Sequence, residues 1–211
     1  MIKEFLPYDT VRNNALKLAR RIHTDGFIPD VIYVSLRGGA YLGNVISEYF
    51  KLAEPKRRPI YYAAVVARSY TDVSKAGKIK VEGWTYSPEY LRTGDTVLLI
   101  DDIFDTGQTI NHLASIILDK GVPRSDLKIA VHDYKYFYDR PSQLPIQPDY
   151  WCRRFEHSVN DDPSWIHYLS HELIGLTPDE LEARYFSQDE GLRAVFEPLY
   201  STSNTDGVPK I

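Results

Sequence analysis

Residues 97–110 read Val-Leu-Leu-Ile-Asp-Asp-Ile-Phe-Asp-Thr-Gly-Gln-Thr-Ile. Four apolar residues ending in Asp101 and Asp102 describe a buried strand that delivers two carboxylates to its carboxyl end, where open α/β sheets hold their ligands. Thr106, Gly107, Gln108 and Thr109 follow immediately before a helical pattern, so their amides and the helix N-terminus make a phosphate cradle. Gly107 permits close backbone approach, and the threonine hydroxyls add donors. Two carboxylates beside that cradle repel an anion unless a hard cation or a set of sugar hydroxyls offsets them. The ligand this implies is a sugar phosphate with vicinal hydroxyls, together with Mg2+. A plain acidic loop would need only the acid pair, not the strand, third acid Asp105 and Thr-Gly-x-Thr that accompany it.

The flanking elements must hold this segment in place. Val11, Ala15, Leu18, Ala19 and Ile22 recur at helical spacing after a cap at Tyr8–Thr10, and Gly26 and Pro29 end that helix. Val31–Ser35 is a continuous apolar strand running into Arg37-Gly38-Gly39, and a second helix follows through Leu42, Val45, Ile46 and Phe50. Residues 59–68 form a strand rich in Tyr, Val and Ala, and 69–84 a polar, mobile loop. After Thr96–Ile100 comes a helix through Ile110, Leu113, Ile116, Ile117 and Leu118, then a strand over Leu127–His132. This alternation predicts an α/β fold with a mainly parallel sheet flanked by helices. Beyond Phe137 prolines accumulate and the pattern weakens. The expected organisation is a core over 1–137, an irregular hood or extension over 138–200, and a disordered tail over 201–211.

Composition narrows the function classes. The chain has 211 residues, 43% hydrophobic and 26% charged, which suits one soluble domain with a modest appendage. Cys152 is the single cysteine, so intrachain disulfides and a cysteine-rich zinc site are excluded, and a reducing cytoplasmic location is expected. A net charge of -4 argues against nucleic acid as a partner. No apolar run approaches the roughly 20 residues needed to span a bilayer, so no membrane partner is expected. The six histidines show no paired metal-ligand spacing.

The segment 97–110 resembles the phosphoribosyl-diphosphate-binding signature of type I phosphoribosyltransferases, in particular the xanthine-guanine and hypoxanthine enzymes. The resemblance implies that Asp101 and Asp102 hold the ribose hydroxyls and the Mg2+, and that Asp105, Thr106, Gly107, Gln108 and Thr109 wrap the 5-phosphate. Leu36, Arg37 and Gly38, within Ser35–Gly39, resemble the family's pyrophosphate loop, whose Leu36–Arg37 peptide is then expected to be cis. Ser69 and Tyr70 open a stretch resembling the flexible loop that closes over the reacting sugar. An acid at the place of Asp105 marks the 6-oxopurine members, where it lies near purine N7. N7 must lose its proton as the purine attacks ribose C1, so Asp105 is the candidate catalytic residue. Lys135, just past the strand 127–132, is expected to donate to purine O6; an ammonium has only donors, so it selects against a 6-amino group. Trp165 and Ile166 match the pair that stacks on the purine and offers backbone groups to its edge. The family then continues with Pro-Trp and an acid, whereas this chain reads Leu169-Ser170-His171-Glu172. That departure leaves open which residue reads the purine 2-position, and so which purine is taken.

The implied activity is transfer of a phosphoribosyl group from phosphoribosyl diphosphate to hypoxanthine, guanine or xanthine, releasing pyrophosphate and a nucleoside monophosphate. A homo-oligomer is expected by analogy. Two rivals stand beside this reading: a non-catalytic sensor of the same diphosphate, and a transferase for a different base.

Overall fold

The structure is a computed structural model that describes residues 3–55, 58–72, 75–140, 143–161 and 164–201, without the side chains of 68–78, 200 and 201. Of the expected tail over 201–211, Ser201 closes a helix and 202–211 lie outside the described residues. The chain divides into two compact units, one ending at His171 and one beginning at Glu172.

The first unit holds eight strands: β1 (Lys3–Leu6), β2 (Val31–Leu36), β3 (Tyr61–Asp72), β4 (Lys75–Trp84), β5 (Val97–Phe104), β6 (Leu127–Phe137), β7 (Tyr150–His157) and β8 (Trp165–Tyr168). Its helices are α1 (Tyr8–Thr24), α2 (Gly39–Ala53) and α3 (Gln108–Leu118). Six strands form one sheet in the order β4-β3-β2-β5-β6-β7, parallel except where β4 turns back on β3. β1 and β8 pair in a separate two-stranded parallel sheet.

The central strands are apolar without alternation because both faces are covered. Val31, Tyr33, Val97 and Leu99 face one core with Ile110, Leu113 and Ile117 of α3. Ile32, Val34, Leu98 and Ile100 face the other, with Leu18 and Ile22 of α1 and Leu42, Ile46 and Phe50 of α2. All of these residues are at most 3% exposed. At roughly 1.5–3 kcal/mol per buried large aliphatic or aromatic side chain, these two layers dominate the stabilisation of the sheet.

Three expectations are corrected by this architecture. The stretch 69–84 is largely a β-hairpin arm rather than a loop: the backbones of Ser69 and Tyr70 pair with Ile79 and Lys78. The missed signal is the alternation Lys78-Ile79-Lys80-Val81-Glu82, with Val81 and Trp84 packed on the core. Lys135 lies within β6, opposite Phe155 of β7, and not past the strand. The sheet also does not end at Phe137. β7, at the sheet edge, has a half-exposed, charged pattern that hides a parallel strand. Among the described residues no helix is long and apolar enough to cross a membrane.

The β1–β8 pair packs through Leu6, Ile166 and Tyr168 with Val11 of α1. Beneath it lies a buried polar network. The fully buried Asp133 on β6 accepts from Arg153 Nε on β7 at 2.5 Å, from His132 Nδ1 at 3.0 Å, and from the Tyr168 hydroxyl on β8. Arg153 Nη1 also reaches Glu4 Oε1 of β1 at 2.5 Å, and His132 Nε2 meets Asn14 Nδ2 of α1 at 3.1 Å.

The second unit caps α4 (Pro178–Leu181) with a capping box between Thr177 and Glu180. It gathers Leu176, Leu181 and Phe186 with Phe196 of α5 (Arg193–Ser201) as its buried residues.

Burial pushes the Asp133 carboxyl up, but hydrogen bonds from His132 and Arg153, the His132 charge and the Tyr168 hydroxyl outweigh it and hold the group below the usual carboxylate range. A depressed folded pKa contributes stability that is present above the unfolded carboxylate pKa, near 4, and lost as pH falls below it. Asp133→Asn should therefore cost about 3–5 kcal/mol at neutral pH and flatten the acid limb of stability against pH. Urea unfolding at several pH values checks both, and an unchanged acid limb would remove Asp133 from that role.

Candidate functional site

The connections leaving the sheet's middle diverge. β2 leads through α2 to β3 on one side, and β5 leads through α3 to β6 on the other. α2 and α3 cover opposite faces, so a crevice opens at the carboxyl ends of the adjacent, parallel β2 and β5. This is a topological switch point, the place where such sheets take ligands. The cleft there is about 200 Å³ and is lined by Asp101, Asp102, Ile103, Asp105, Thr106, Gly107, Thr109 and Ile110.

The loop after β2 lies directly on the end of β5. A Cβ on Gly38 would overlap the Asp102 carboxylate, and one on Gly39 would come within 2.7 Å of the Ile100 carbonyl oxygen. The Leu36–Arg37 peptide before this turn is cis, as the resemblance implies. Arg37 is exposed at the start of the turn.

Asp101 and Asp102 differ in environment. Asp101 is buried, and its Oδ1 accepts the Asp102 amide at 3.0 Å. Burial first, and the neighbouring Asp102 charge second, push the Asp101 carboxyl well above the usual carboxylate range; the Ser35 hydroxyl partly offsets this. Asp102 Oδ1 accepts the Ile103 amide at 2.8 Å. His171 Nε2 stands 3.2 Å from Asp102 Oδ2, and the Tyr168 hydroxyl oxygen lies 3.2 Å from the Asp102 carbonyl oxygen.

The cradle follows. Gly107 has φ +78°, and a Cβ there would overlap the Phe104 ring, so only glycine fits both the backbone and the space. α3 begins at Gln108, leaving its first amides without partners inside the helix. Arg140 donates from Nη1 to the Thr106 carbonyl at 3.1 Å while lying over the Phe137 ring. Across the cleft mouth Lys135 Nζ is 4.0 Å from Asp105 Oδ1; Lys135 is 7% exposed and Asp105 about half.

The structure thus brings Asp101, Asp102, Asp105, Thr106, Gly107 and Thr109 to one cleft, with Gly38 against Asp102 and Lys135 against Asp105. Gln108 opens α3 beside them. Trp165 is 48% exposed on β8, which excludes a core role, while Ile166 is buried beside Leu6. The side chains of Ser69 and Tyr70 lie outside the described residues, as do Asp162 and Pro163. Sequence reasoning missed Arg140 and the contacts of Tyr168 and His171 with Asp102. The one available signal was the departure of Leu169-Ser170-His171-Glu172 from the family's Pro-Trp and acid.

Three comparisons bear on this arrangement. Residues 7–166 match a family model described as a phosphoribosyl transferase domain. A bifunctional protein PyrR from Microcystis aeruginosa is 27% identical over 160 residues, 75% of this chain and 86% of that protein. A purine phosphoribosyltransferase from Pyrococcus horikoshii superposes with a TM-score of 0.62 at 22% identity, covering 84% of this chain and 99% of the other. A xanthine-guanine-hypoxanthine phosphoribosyltransferase from Helicobacter pylori gives a TM-score of 0.51 at 18% identity, covering 79% and 90%.

Gly107→Ala should destabilise the fold by about 2 kcal/mol or more, because a positive φ and an overlap act together. Gly26→Ala, also at a positive φ but with nothing within 4 Å of its Cβ, should cost only the backbone part, roughly 1–2 kcal/mol. Chemical denaturation of both variants checks the difference, and equal losses would show that the Phe104 contact is easily relieved.

Proposed function

The chain belongs to the phosphoribosyl transferase family, and from that premise we propose that it is a purine salvage enzyme of the cytoplasm. It transfers the 5-phosphoribosyl group of phosphoribosyl diphosphate to N9 of a 6-oxopurine and releases pyrophosphate. One observation carries the reading: the apposition of Lys135 and Asp105, 4.0 Å apart, beside the acid pair and the cradle. An ammonium paired with a carboxylate is complementary to the O6 acceptor and N7 proton of a 6-oxopurine, and it is a poor match for the 6-amino group of adenine.

Each part of the cleft then has a task. The amides and hydroxyls of Thr106–Thr109 take the 5-phosphate, and Arg140 steadies the loop through the Thr106 carbonyl. Asp101 and Asp102 bind the ribose 2- and 3-hydroxyls; Asp101, held toward its neutral form, can donate as well as accept. Arg37 and the turn at Gly38 meet the departing pyrophosphate with a delocalised cation and backbone donors. Asp105 manages the N7 proton as the ring nitrogen attacks C1 and the bond to pyrophosphate breaks. Trp165, exposed, offers a face for the purine, and Ile166 supplies backbone groups to its edge. Closure by the arm that contains Ser69 and Tyr70 excludes water from the reacting sugar.

The donor set suits Mg2+. No group of three acidic, histidine or cysteine side chains among the described residues could enclose a metal alone. One or two carboxylates completed by water and substrate oxygens is the ordinary arrangement for this ion, and Asp102 with Asp101 would hold it. Bound there, Mg2+ supplies charge neutralisation for the pyrophosphate.

A panel of hypoxanthine, guanine, xanthine, adenine, orotate and uracil, read by nucleotide and pyrophosphate formation, tests the assignment. Turnover is expected with one or more 6-oxopurines and not with adenine. Binding of phosphoribosyl diphosphate without turnover of any base would instead identify a sensor. Asp105→Ala should lower turnover about 10²–10⁴-fold. Lys135→Ala should mainly raise the purine KM, and an unchanged KM would move O6 recognition elsewhere.

A further inference from the structure

We propose that His171 is a positioning residue for the sugar-binding acid Asp102, held in place by the Tyr168 ring; this rests on the reading of Asp102 as a ligand of the donor's ribose. His171 Nε2 lies 3.2 Å from Asp102 Oδ2. A carboxylate only accepts, so the ring must present Nε2–H to it. Its other nitrogen, Nδ1, is 3.0 Å from the Ser170 hydroxyl, which can donate there and so favour the required tautomer. The imidazole stacks on Tyr168 with centroids 5.2 Å apart and planes inclined by 21°.

Tyr168 is itself immobilised. It is 2% exposed, and its hydroxyl donates to the Asp133 carboxylate with the Asp102 carbonyl alongside. The chain at the end of β8 therefore reaches Asp102 at two points, with the Tyr168 hydroxyl beside its carbonyl and His171 on its carboxylate. The other neighbours of the carboxylate are the Ile103 amide on Oδ1, the Asp101 side chain and the bare face of Gly38. Without His171, Oδ2 loses the donor that reaches it from beyond β8, and the carboxylate is held less firmly about its last torsion. A carboxylate has about four acceptor sites, so capacity for sugar hydroxyls remains. His171 thus orients the acid without filling it.

His171→Phe keeps a stacking ring and removes the donor, whereas His171→Gln replaces the ring by an amide that reaches a similar place. Titration calorimetry with phosphoribosyl diphosphate and Mg2+ gives the donor's Kd. Steady-state kinetics separates donor KM from purine KM and kcat. His171→Phe should weaken donor binding about tenfold to a hundredfold, the usual worth of a hydrogen bond to a charged group, while His171→Gln stays within about threefold of the natural chain. The purine KM should move little in either. If His171→Phe does not fold, His171→Ala removes the same donor without needing room for a larger ring. Donor binding by the Phe or Ala variant equal to that of the natural chain would overturn the proposal, as would a Gln variant as weak as the Phe variant. Failure of the natural chain itself to bind the donor would overturn the underlying assignment instead.

Discussion

Two glycines with no side chains let the turn after β2 rest on the carboxyl end of β5. Gly38 lies against the Asp102 carboxylate and Gly39 against the Ile100 carbonyl. A Cβ at Gly39 would press on the backbone of β5, and one at Gly38 would displace the Asp102 carboxylate. The parallel register of β2 with β5, running from Val31↔Val97 to Val34↔Ile100, brings the ends level so that this contact can form. The acid pair, the turn at Arg37 and the start of α3 consequently share one crevice. The remaining helices and strands hold that pairing rigid by covering both faces of the sheet.

Buried charge is used in two contrasting ways on the neighbouring strands β5 and β6. Asp133 is fully enclosed, and Arg153, His132 and Tyr168 all donate to it, so its ionised form is favoured. Such a pair adds little over an apolar packing, but it ties β6, β7, β8 and, through Glu4, β1 into one arrangement. Asp101 is buried without a cation and stays toward its neutral form. That uncompensated carboxyl is unfavourable in the free protein, and it leaves donor and acceptor capacity for a ligand's hydroxyls. The Tyr168 hydroxyl links the two regimes, touching Asp133 on one side and the Asp102 carbonyl on the other.

The strands and helices that carry the site were the most legible, because their apolar runs and helical spacing are local properties. β2, α2, β5 and α3 all fall where those patterns put them. β4 and β7 were not read as strands. β4 is mostly polar and recognisable only by a short alternation. β7 sits at the sheet's edge and carries Arg153, Arg154, Glu156 and His157 on a half-exposed surface. Lys135 is expected just past the strand 127–132, where the resemblance puts a lysine. In the fold β6 runs on to Phe137, and Lys135 is buried with Asp105 nearby.

The order of residues from 97 to 110 alone determined that this chain carries an acid pair, a third acid and a glycine-threonine cradle at a strand-to-helix junction. Those features depend on spacing along one short segment, where covalent geometry already limits the distances. The tertiary structure decided which distant residues meet them. Gly38 reaches Asp102 across 64 positions, Lys135 reaches Asp105 across 30, and His171 reaches Asp102 across 69. No local pattern encodes such meetings. They follow from strand order and register, set by the packing of two hydrophobic layers over the whole chain.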